Sequence, residues 1–450
     1  MKSIRTLKIS ISGVRGVIGD SLTPLLLNRF AQSFGTYVNS GLIVIGRDTR
    51  TSGEMVKHAV FAGLMSAGCR IVDLDICPVP TVQLMVRKLN AQGGIALTAS
   101  HNPQEWNALK FIGSDGCFLN SYEAEELLDI YHQGEYTRVG SNAINEVQRN
   151  ATAVRTHIDE ILKHLGKLPG SRKRLRVVVD CCNGAGSVIA PALLEELGCE
   201  VTAINATPNG LFPRPPEPLP QNLAQLCQAV RESRADVGFA QDVDADRLAI
   251  VSNQGEAIGE EYSLVLATKY ILSKKRGPVV ANLSTTMALD DIARQFHCPI
   301  IRTKIGEVNV TEGMKKAGAV IGGEGNGGVI YPAINFARDS QVGMALVLHY
   351  LAESGRSLSA LMRSVPRYYM VKSSLPCSSH KAQAILRMVK QAYSKDQIDL
   401  TDGIKIIRKD GWIHIRSSNT EPIVRVTVEA RREALSKELA AEVMDRIGAV

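Results

Sequence analysis

The sequence lacks long hydrophobic runs, and this absence excludes a membrane-spanning helix. None of the apolar stretches in the 450-residue chain reaches about 18 residues, the length that a transmembrane helix needs. The first 16 residues mix charged with apolar positions, whereas a secretory signal has a continuous apolar core. We therefore expect a cytoplasmic protein with no membrane partner.

Paired cysteines and a strong excess of charge are also missing. The nine cysteines are an odd number with no CxxC spacing, so the sequence indicates neither a disulfide framework nor a four-thiolate zinc site; we expect nine buried, reduced thiols. Lysine and arginine exceed aspartate and glutamate by only seven, 52 against 45, which is too little to indicate a nucleic-acid partner. The 45% of hydrophobic and 22% of charged residues are typical of a chain that folds around sizeable cores.

One pattern occurs three times in the first two-thirds of the chain. Each copy begins with a run of apolar, β-branched residues, which is followed by polar residues and then by a helical stretch. The three runs are 42–45, 177–179 and 279–281. A second apolar segment then starts at a cysteine, which is Cys69, Cys199 or Cys298. A third strand follows in each copy and ends in a polar or glycine-rich loop. Because ligands bind at the carboxyl ends of strands in open parallel sheets, we expect the three loops to meet in one cleft.

The last part of the chain has a different pattern. Residues 381–393 have helical periodicity, 404–415 contain an Asp410-Gly411 turn signal, 424–430 alternate as a strand, and 433–447 form an amphipathic helix. This order predicts a small α+β domain with an antiparallel sheet. We therefore expect three related mixed-sheet α/β domains at 1–150, 151–256 and 257–365, and an α+β domain at 366–450. The proline-rich stretch 212–220 is interpreted as a stiff connector inside the second domain.

Three aspartates follow the third strand of the second copy. Asp242, Asp244 and Asp246 alternate along the chain, and on extended backbone they project three carboxylates to one side, where they suit a divalent cation, Mg²⁺ above all. Without a cation or a basic neighbour such as Arg247, the carboxylates would repel each other. The plainer alternative is a solvated acidic turn. A calcium-binding EF-hand is excluded, because Arg247 and Asn253 stand where that loop needs glycine and glutamate.

Ser100 lies in the corresponding loop of the first copy, after a buried strand and next to His101. Its hydroxyl is a candidate nucleophile or phosphate carrier, although a serine in this setting is commonly a helix cap. A metal-type loop in the equivalent place of the next copy favours the carrier, because Mg²⁺ beside a phosphoserine would neutralise charge during phosphoryl transfer.

Two further loops suit a phosphate and a sugar. The stretch 416–420, with Arg425, places two guanidinium groups, hydroxyls, an amide and turn N–H groups at the edge of a predicted sheet, and this composition binds phosphate. Glu324 is the acid of a glycine-rich loop and a candidate acceptor for sugar hydroxyls. The alternatives are a surface turn with incidental arginines and a tight glycine turn.

Taken together, these motifs make the sequence resemble the α-D-phosphohexomutase family of phosphoglucomutases, phosphomannomutases and phosphoglucosamine mutases, over essentially the whole chain. Residues 98–103 resemble the family's phosphoserine loop, 242–247 its metal loop, 323–327 its sugar loop and 416–422 its phosphate loop. Residues 12–16 resemble its amino-terminal arginine segment, and Lys110 falls where the family carries an active-site lysine.

The resemblance implies a heart-shaped fold of four domains around a central cleft, as a monomer or homodimer that acts on a small sugar phosphate. Phosphorylated Ser100 would give its phosphoryl group to a hexose monophosphate, and the resulting hexose 1,6-bisphosphate would turn over and return the other phosphate. Mg²⁺ would be held by Ser100, Asp242, Asp244 and Asp246, and proton transfer would involve Lys110, Arg15 and His101. The implied substrate-binding residues are Arg247, Lys304, Glu324, Asn326, Arg416, Ser418, Asn419, Thr420 and Arg425.

One departure from the family pattern bears on the sugar. Many bacterial members carry a serine within the sugar loop and a histidine near its end, where this chain has Asn326 and Gly328. This form of the sugar loop favours phosphoglucosamine mutase. Phosphomannomutase or phosphoglucomutase is the alternative, because Glu324 suits a protonated 2-amino group and the hydroxyls of mannose or glucose equally. Two remoter alternatives are a non-catalytic sugar-phosphate sensor and an aspartyl-phosphate phosphatase, whose nucleophile loop the stretch 242–244 also resembles.

Overall fold

A computed structural model of the protein describes residues 6–10, 13–170, 174–418 and 423–448. The first domain contains β1 (Lys8–Ser10), β2 (Gly13–Val17), α1 (Pro24–Tyr37), β3 (Leu42–Arg47), α2 (Gly53–Ser66), β4 (Arg70–Ile76), α3 (Val79–Lys88), β5 (Gly93–Leu97), β6 (Trp106–Gly113), α4 (Ser121–Gln133) and β7 (Val147–Arg149). Its strands form one sheet in the order β1-β2-β6-β5-β3-β4-β7. Strands β5, β3, β4 and β7 are parallel, and the others are antiparallel.

Both faces of this first sheet are buried, as is usual for parallel strands that helices cover. Ile43 and Ile45 of β3 pack on one face with Phe34 of α1. Val44, between them, packs on the other face with Val82 of α3. The alternating side chains of one apolar strand therefore hold helices on both sides of the sheet.

The second and third domains repeat the central part of this arrangement. The second contains α5 (Ala153–Leu165), β8 (Arg176–Asp180), α6 (Ala190–Glu196), β9 (Glu200–Ile204), α7 (Ala224–Ser233), β10 (Val237–Gln241) and β11 (Leu248–Ser252). The third contains α8 (Glu261–Lys274), β12 (Val279–Asn282), α9 (Ala288–Gln295), β13 (Ile300–Thr303), α10 (Glu307–Ala317), β14 (Ile321–Glu324), β15 (Gly328–Ile330), α11 (Ser340–Ser354) and α12 (Leu358–Met362). One hydrophobic core joins the two domains, mainly through α8 and α11.

The three sheets share one topology. The orders β6-β5-β3-β4, β11-β10-β8-β9 and β15-β14-β12-β13 are equivalent, with three parallel strands and one antiparallel strand each. The threefold repeat of parallel strands is confirmed. The antiparallel strands β6, β11 and β15 were not predicted, and they turn each functional loop into a connection between two neighbouring strands.

The fourth domain has an antiparallel sheet with two helices, which confirms the α+β prediction. Its elements are β16 (Tyr369–Pro376), α13 (Ser379–Ala392), β17 (Gln397–Asp399), β18 (Ile404–Arg408), β19 (Gly411–Ser417), β20 (Ile423–Ala430) and α14 (Glu433–Gly448). The strand order is β16-β20-β19-β18-β17, and the turn signal at Asp410-Gly411 forms the β18–β19 hairpin. The domain boundaries in the sequence stay a prediction.

The cysteines agree with most of the expectations from composition. All nine cysteines are free; seven are buried, whereas Cys227 and Cys377 are half-buried, so the expectation of nine buried thiols is wrong for these two. In the part of the chain that the structure describes, no helix is both long and apolar enough to cross a bilayer.

Candidate active site

The phosphoserine loop follows β5 and holds Ser100 in an uncommon backbone conformation. Ser100 has a φ of 50° and is 3% exposed. Its N–H donates to Thr98 Oγ1 over 3.0 Å. Positive φ is uncommon outside glycine, and such positions concentrate at functional sites because the surrounding structure must stabilise them.

Arg50, in the turn between β3 and α2, stabilises this loop. All five of its N–H groups donate hydrogen bonds. Nε donates to Asp48 Oδ2 at 3.1 Å, and Nη2 donates to the carbonyls of Ser100 and Asn102 at 2.7 Å each. Nη1 donates to two more carbonyls of the same segment, at residues 103 and 106. The fixed fork of one buried guanidinium therefore determines the path of the loop.

The metal loop connects β10 to β11 and brings three carboxylates together. Asp242, Asp244 and Asp246 are buried, and one oxygen of each lies within 4.8 Å of the others. The extended backbone expected from the sequence is wrong, because the loop is a turn with Ala245 at a φ of 55°. Val243 and Ala245 are fully buried, so the turn packs its small apolar side chains while the carboxylates converge.

Ser100 and Lys110 contact this carboxylate cluster from the first domain. Ser100 Oγ donates to Asp242 Oδ2 at 2.9 Å. Lys110 Nζ, on β6, lies 2.7 Å from Asp244 Oδ2 and 3.7 Å from Asp246 Oδ2. Burial and the charges of Asp244 and Asp246 raise the pKa of Asp242 well above its usual value. Although burial opposes it, Lys110 lowers the pKa of Asp244.

The metal loop has the donor set of a divalent cation site. Among the described residues, Asp244 Oδ1 and Asp246 Oδ1 are buried oxygens that accept no hydrogen bond. Buried polar atoms normally have a partner, and carboxylate oxygens are the ligands that Mg²⁺ prefers. The residues therefore fit a hard divalent cation beside Ser100 Oγ.

Arg15 and His101 complete the surroundings of Ser100. Arg15, on β2, donates from Nη1 to Asn102 Oδ1 at 2.6 Å, and His101 Nδ1 lies 3.4 Å from Ser100 Oγ. Burial, together with the charges of Arg247 and Arg15, lowers the pKa of His101 well below its usual value, so the imidazole is neutral. Four candidate catalytic residues line one cavity of about 530 Å³, and they are Arg15, Ser100, His101 and Lys110.

The sugar loop joins β14 to β15, and its Glu324 is 3% exposed. Glu324 Oε1 accepts from Asn282 Nδ2 at 2.8 Å and from Gly306 N at 2.9 Å, while Oε2 accepts from Arg338 Nη1 at 2.8 Å. Burial opposes ionisation, but Arg338 and these hydrogen bonds lower the pKa of Glu324 and keep it charged.

The phosphate loop belongs to the fourth domain. Arg416 on β19 lies opposite Arg425 on β20, and both line the cavity together with Ser418. Burial lowers the pKa of Arg416. The predicted binding residues Asn419 and Thr420 lie outside the described residues.

Loops of all four domains meet in one cleft, which consists of two adjoining cavities of about 320 and about 530 Å³. Among the described residues, Lys304 is exposed on the loop after β13 and lies outside the lining of both cavities, next to Ile305, which is part of it. The residues that line both cavities are Arg15, His101, Arg247, Ile305, Glu324, Asn326, Arg416 and Arg425.

The segment 207–220, which contains the proline-rich stretch 212–220 and is called the proline-rich segment below, contacts both the phosphoserine loop and the metal loop. Phe212 places its ring 5.2 Å from the guanidinium carbon of Arg50. Arg214 donates to the carbonyl that precedes the metal loop at 2.7 Å, and Glu217 accepts from Arg247 Nη1 at 2.9 Å. The segment is thus more than the stiff connector that the sequence suggested, because it braces two loops and lines the cleft.

Glu307, at the start of α10, accepts from Arg338 Nε at 2.9 Å. Four residues that hold or line the cleft were not predicted from the sequence, namely Arg50, Glu217, Glu307 and Arg338. For Arg50 a signal was present, since it follows the first strand of a repeat at the carboxyl end of a parallel sheet. For Arg338 there was none, because its three carboxylate partners are 14, 31 and 92 residues away in the chain.

The sequence matches four models of the phosphoglucomutase/phosphomannomutase family in order. Residues 7–138, 155–255 and 259–369 match its alpha/beta/alpha domains I, II and III, and residues 376–446 match its C-terminal domain. A probable phosphoglucosamine mutase of Methanopyrus kandleri is 37% identical over 440 residues, which is 96% of each chain. A phosphoglucomutase/phosphomannomutase of Thermococcus kodakarensis is 36% identical over 434 residues, which is 95% of each chain.

A solved structure agrees with these matches. The crystal structure of a phosphoglucomutase/phosphomannomutase family protein from Burkholderia thailandensis has a TM-score of 0.86 at 25% identity, and the match covers 100% of this chain and 98% of that one. The similarity thus extends over all four domains and the loops between them. The chain therefore belongs to the phosphoglucomutase/phosphomannomutase family and is an α-D-phosphohexomutase, an isomerase that transfers phosphate within a sugar phosphate.

Proposed function

We propose that this phosphohexomutase is a phosphoglucosamine mutase that works through a phosphoserine at position 100. The observation that carries the mechanism is the contact of Ser100 Oγ with Asp242 Oδ2 at 2.9 Å, at the wall of the cleft that four domains line. It puts a hydroxyl against the donor set of a divalent cation site, which is the environment that a phosphoserine needs for phosphoryl transfer.

In the first half-reaction, the P–O bond to Ser100 breaks and a P–O bond to a sugar hydroxyl forms, while the hydroxyl proton passes to a base. Lys110, Arg15 and His101 share the cavity with Ser100, and they are the candidates for moving this proton and offsetting the charge of the phosphoryl oxygens. The hexose 1,6-bisphosphate then reorients, and its other phosphate returns to Ser100 while the phosphate loop and Arg425 hold the phosphate that does not react.

Mg²⁺ would be held by Asp242, Asp244 and Asp246 together with phosphorylated Ser100. A bound Mg²⁺ supplies charge neutralisation and Lewis acidity at a phosphoryl group. The two carboxylate oxygens that lack hydrogen-bond donors among the described residues support this assignment. Arg247, Asn326 and the exposed Lys304 stay proposed substrate contacts.

The preference for glucosamine is supported by three carboxylates in the lining of the smaller cavity, which also contains six basic side chains, namely Lys8, Arg15, Arg247, Lys372, Arg416 and Arg425. Glu217, Glu261 and Glu324 all line it, and carboxylates pair with a protonated 2-amino group. The relative from Methanopyrus kandleri is named a probable phosphoglucosamine mutase. Mannose or glucose phosphate is the second candidate, because Glu324 already accepts three hydrogen bonds within the protein.

Coupled assays on glucosamine 6-phosphate, mannose 1-phosphate and glucose 1-phosphate test the choice of sugar. We expect the highest kcat/KM with glucosamine 6-phosphate, since only this substrate offers a cation to the three carboxylates. A higher value with either of the other substrates would select the second candidate.

Ser100→Ala tests the phosphoserine itself. The variant should lose at least about 1,000-fold in kcat, as is typical when a nucleophile is removed, while it keeps the wild-type thermal unfolding temperature. Peptide mass spectrometry should find phosphate on Ser100 of the wild type after incubation with hexose 1,6-bisphosphate. Ser66→Ala, on α2 and away from the cleft, serves as the matched control. Near-normal turnover of the Ser100 variant would contradict the mechanism.

A further inference from the structure

Arg338 joins two loops that belong to different domains. It lies two residues before the start of α11, is 8% exposed and forms part of the wall of the larger cavity. Nη2 donates to Asp246 Oδ2 at 2.6 Å, Nη1 to Glu324 Oε2 at 2.8 Å and Nε to Glu307 Oε2 at 2.9 Å. One side chain thus links the metal loop, the sugar loop and the first residue of α10.

These three contacts depend on a guanidinium. Removing one partner of a buried ion pair leaves an uncompensated charge, which is costly. A planar guanidinium donates along several fixed directions, whereas an ammonium is a compact point charge on a flexible stem. Arg338 therefore determines the orientation of Asp246 relative to Glu324 and does more than neutralise their charge.

Gly328 provides the space that Arg338 occupies. A Cβ at position 328 would lie 2.3 Å from Arg338 Cδ and 2.9 Å from Arg338 Cγ. A side chain at 328 and Arg338 in this conformation therefore exclude each other. In this chain the side chain of Arg338 fills the space that the missing Cβ leaves.

We propose that Arg338 is a positioning residue for phosphoryl transfer, which holds the metal loop of the second domain and the sugar loop of the third in one arrangement. The proposal rests on the phosphoserine mechanism proposed above and is independent of which sugar is preferred. Arg338 acts through Asp246 and Glu324, so its loss misplaces the phosphoserine relative to the bound sugar. A misplacement of about 1 Å can cost about 100-fold in rate, whereas the phosphate site on the fourth domain stays intact.

Arg338→Lys tests the proposal, because it keeps the charge and removes the fork. With the best hexose phosphate, kcat should fall about 100-fold, while KM should change by less than about threefold because the phosphate contacts remain. Hydrogen exchange of the metal-free protein should become faster in both the metal loop and the sugar loop. Arg87→Lys is the control: Arg87 donates to Asn335 Oδ1 at 3.0 Å outside the cleft, and its variant should match the wild type in kcat and in exchange at both loops.

Gly328→Ala is a second variant, which removes no charged group. Its methyl group should displace Arg338 and produce the same fall in kcat and the same faster exchange, so the test remains valid if Arg338→Lys does not fold. A folded Arg338→Lys protein with kcat within about threefold of the wild type, or faster exchange in only one of the two loops, would overturn the proposal. Failure of the phosphoserine mechanism gives a different result, because Ser100 of the wild type would then carry no phosphate. The hydrogen-exchange measurement does not depend on that mechanism and still tests the link between the two loops.

Discussion

Glu261, the first residue of α8, combines burial, charge and contact with the sugar loop. Its carboxylate accepts from Thr286 N at 3.1 Å and from Lys372 Nζ at 3.2 Å. A Cβ on Gly325 would lie 1.9 Å from Glu261 Oε2, so the carboxylate lies directly against the sugar loop. Burial raises the pKa of Glu261 to about 7, although Lys372 opposes the shift. The charge at this wall of the cleft therefore changes near neutral pH.

The raised pKa makes the stability of the protein depend on pH. The folded state favours protonated Glu261, because burial raises the pKa of this carboxyl from its usual 4.5 to about 7. The stabilisation from Glu261 is therefore complete below about pH 4.5 and is lost as the pH rises through about 7. Glu261→Gln cannot lose a proton and should remove this part of the pH dependence, which is at most about 3 kcal/mol between about pH 5 and about pH 8. Urea unfolding at these two pH values measures the difference.

The control for this measurement is Glu256→Gln, at an exposed position five residues before Glu261. It should keep the wild-type pH dependence. If wild type and Glu261→Gln lose stability equally as the pH rises, the carboxyl of Glu261 is not the group that titrates.

Among the elements, the proline-rich segment has a role that depends on one close backbone approach. Gly210 has a φ of 70°, and a Cβ at this position would lie 2.1 Å from Thr49 O. Thr49 precedes Arg50, whose guanidinium holds the phosphoserine loop. The segment therefore supports the phosphoserine loop from the second domain, and only glycine permits this distance.

Gly210→Ala should weaken this support. Positive φ costs an alanine about 1 kcal/mol, and the overlap with Thr49 O should cost about 1 to 3 kcal/mol more. Because the overlap pushes on the turn that contains Arg50, kcat should fall as well. Urea unfolding and steady-state kinetics of the variant measure both effects.

Gly134→Ala is matched to Gly210→Ala in backbone conformation. Gly134 has a φ of 72°, and a Cβ at this position would meet no atom within 4 Å. This variant should therefore lose only the part of the stability that comes from positive φ, with normal kcat. Equal losses of stability and kcat in the two variants would show that the contact with Thr49 is unimportant.

At the scale of the whole molecule, the cleft exists because the fourth domain is held against the third by buried polar contacts. Glu429 on β20 is 1% exposed, and its Oε2 accepts from Met287 N and from Trp412 Nε1 at 2.8 Å each. His414 Nδ1 lies 2.7 Å from Ser284 Oγ across the same boundary. These contacts fix where the phosphate loop stands relative to the sugar loop.

Glu429→Leu should release the fourth domain. It leaves two buried N–H groups without an acceptor, at a cost of about 2 to 4 kcal/mol in the free energy of unfolding. Calorimetry should show the fourth domain unfolding at a lower temperature, and limited proteolysis should cleave faster within the connecting residues 363–368. Glu429→Gln keeps an acceptor oxygen and should lose less stability, whereas Glu438→Leu, exposed on α14, should behave like the wild type. Unchanged unfolding and proteolysis of Glu429→Leu would contradict this role.

The sequence was sufficient for the repeated strands and for the candidate groups that meet in the cleft. Apolar, β-branched runs such as 177–179 identify buried parallel strands because their burial on both faces leaves no polar alternation. Ser100 and Asp242 were found because they stand in polar loops at the ends of such strands. The antiparallel strands β6, β11 and β15 were missed, since each follows its loop directly with no helix in between.

The order of the parallel strands, the phosphohexomutase chemistry and the family were therefore determined by the sequence alone, because each depends on neighbouring residues and on side-chain types. Only the tertiary structure decided which charges meet: the turn of the metal loop, the support of the phosphoserine loop by Arg50, and the fork of Arg338 between Asp246 and Glu324. The physical reason is that the free energy of a buried charge depends on the groups packed around it, and folding brings those groups together from distant parts of the chain.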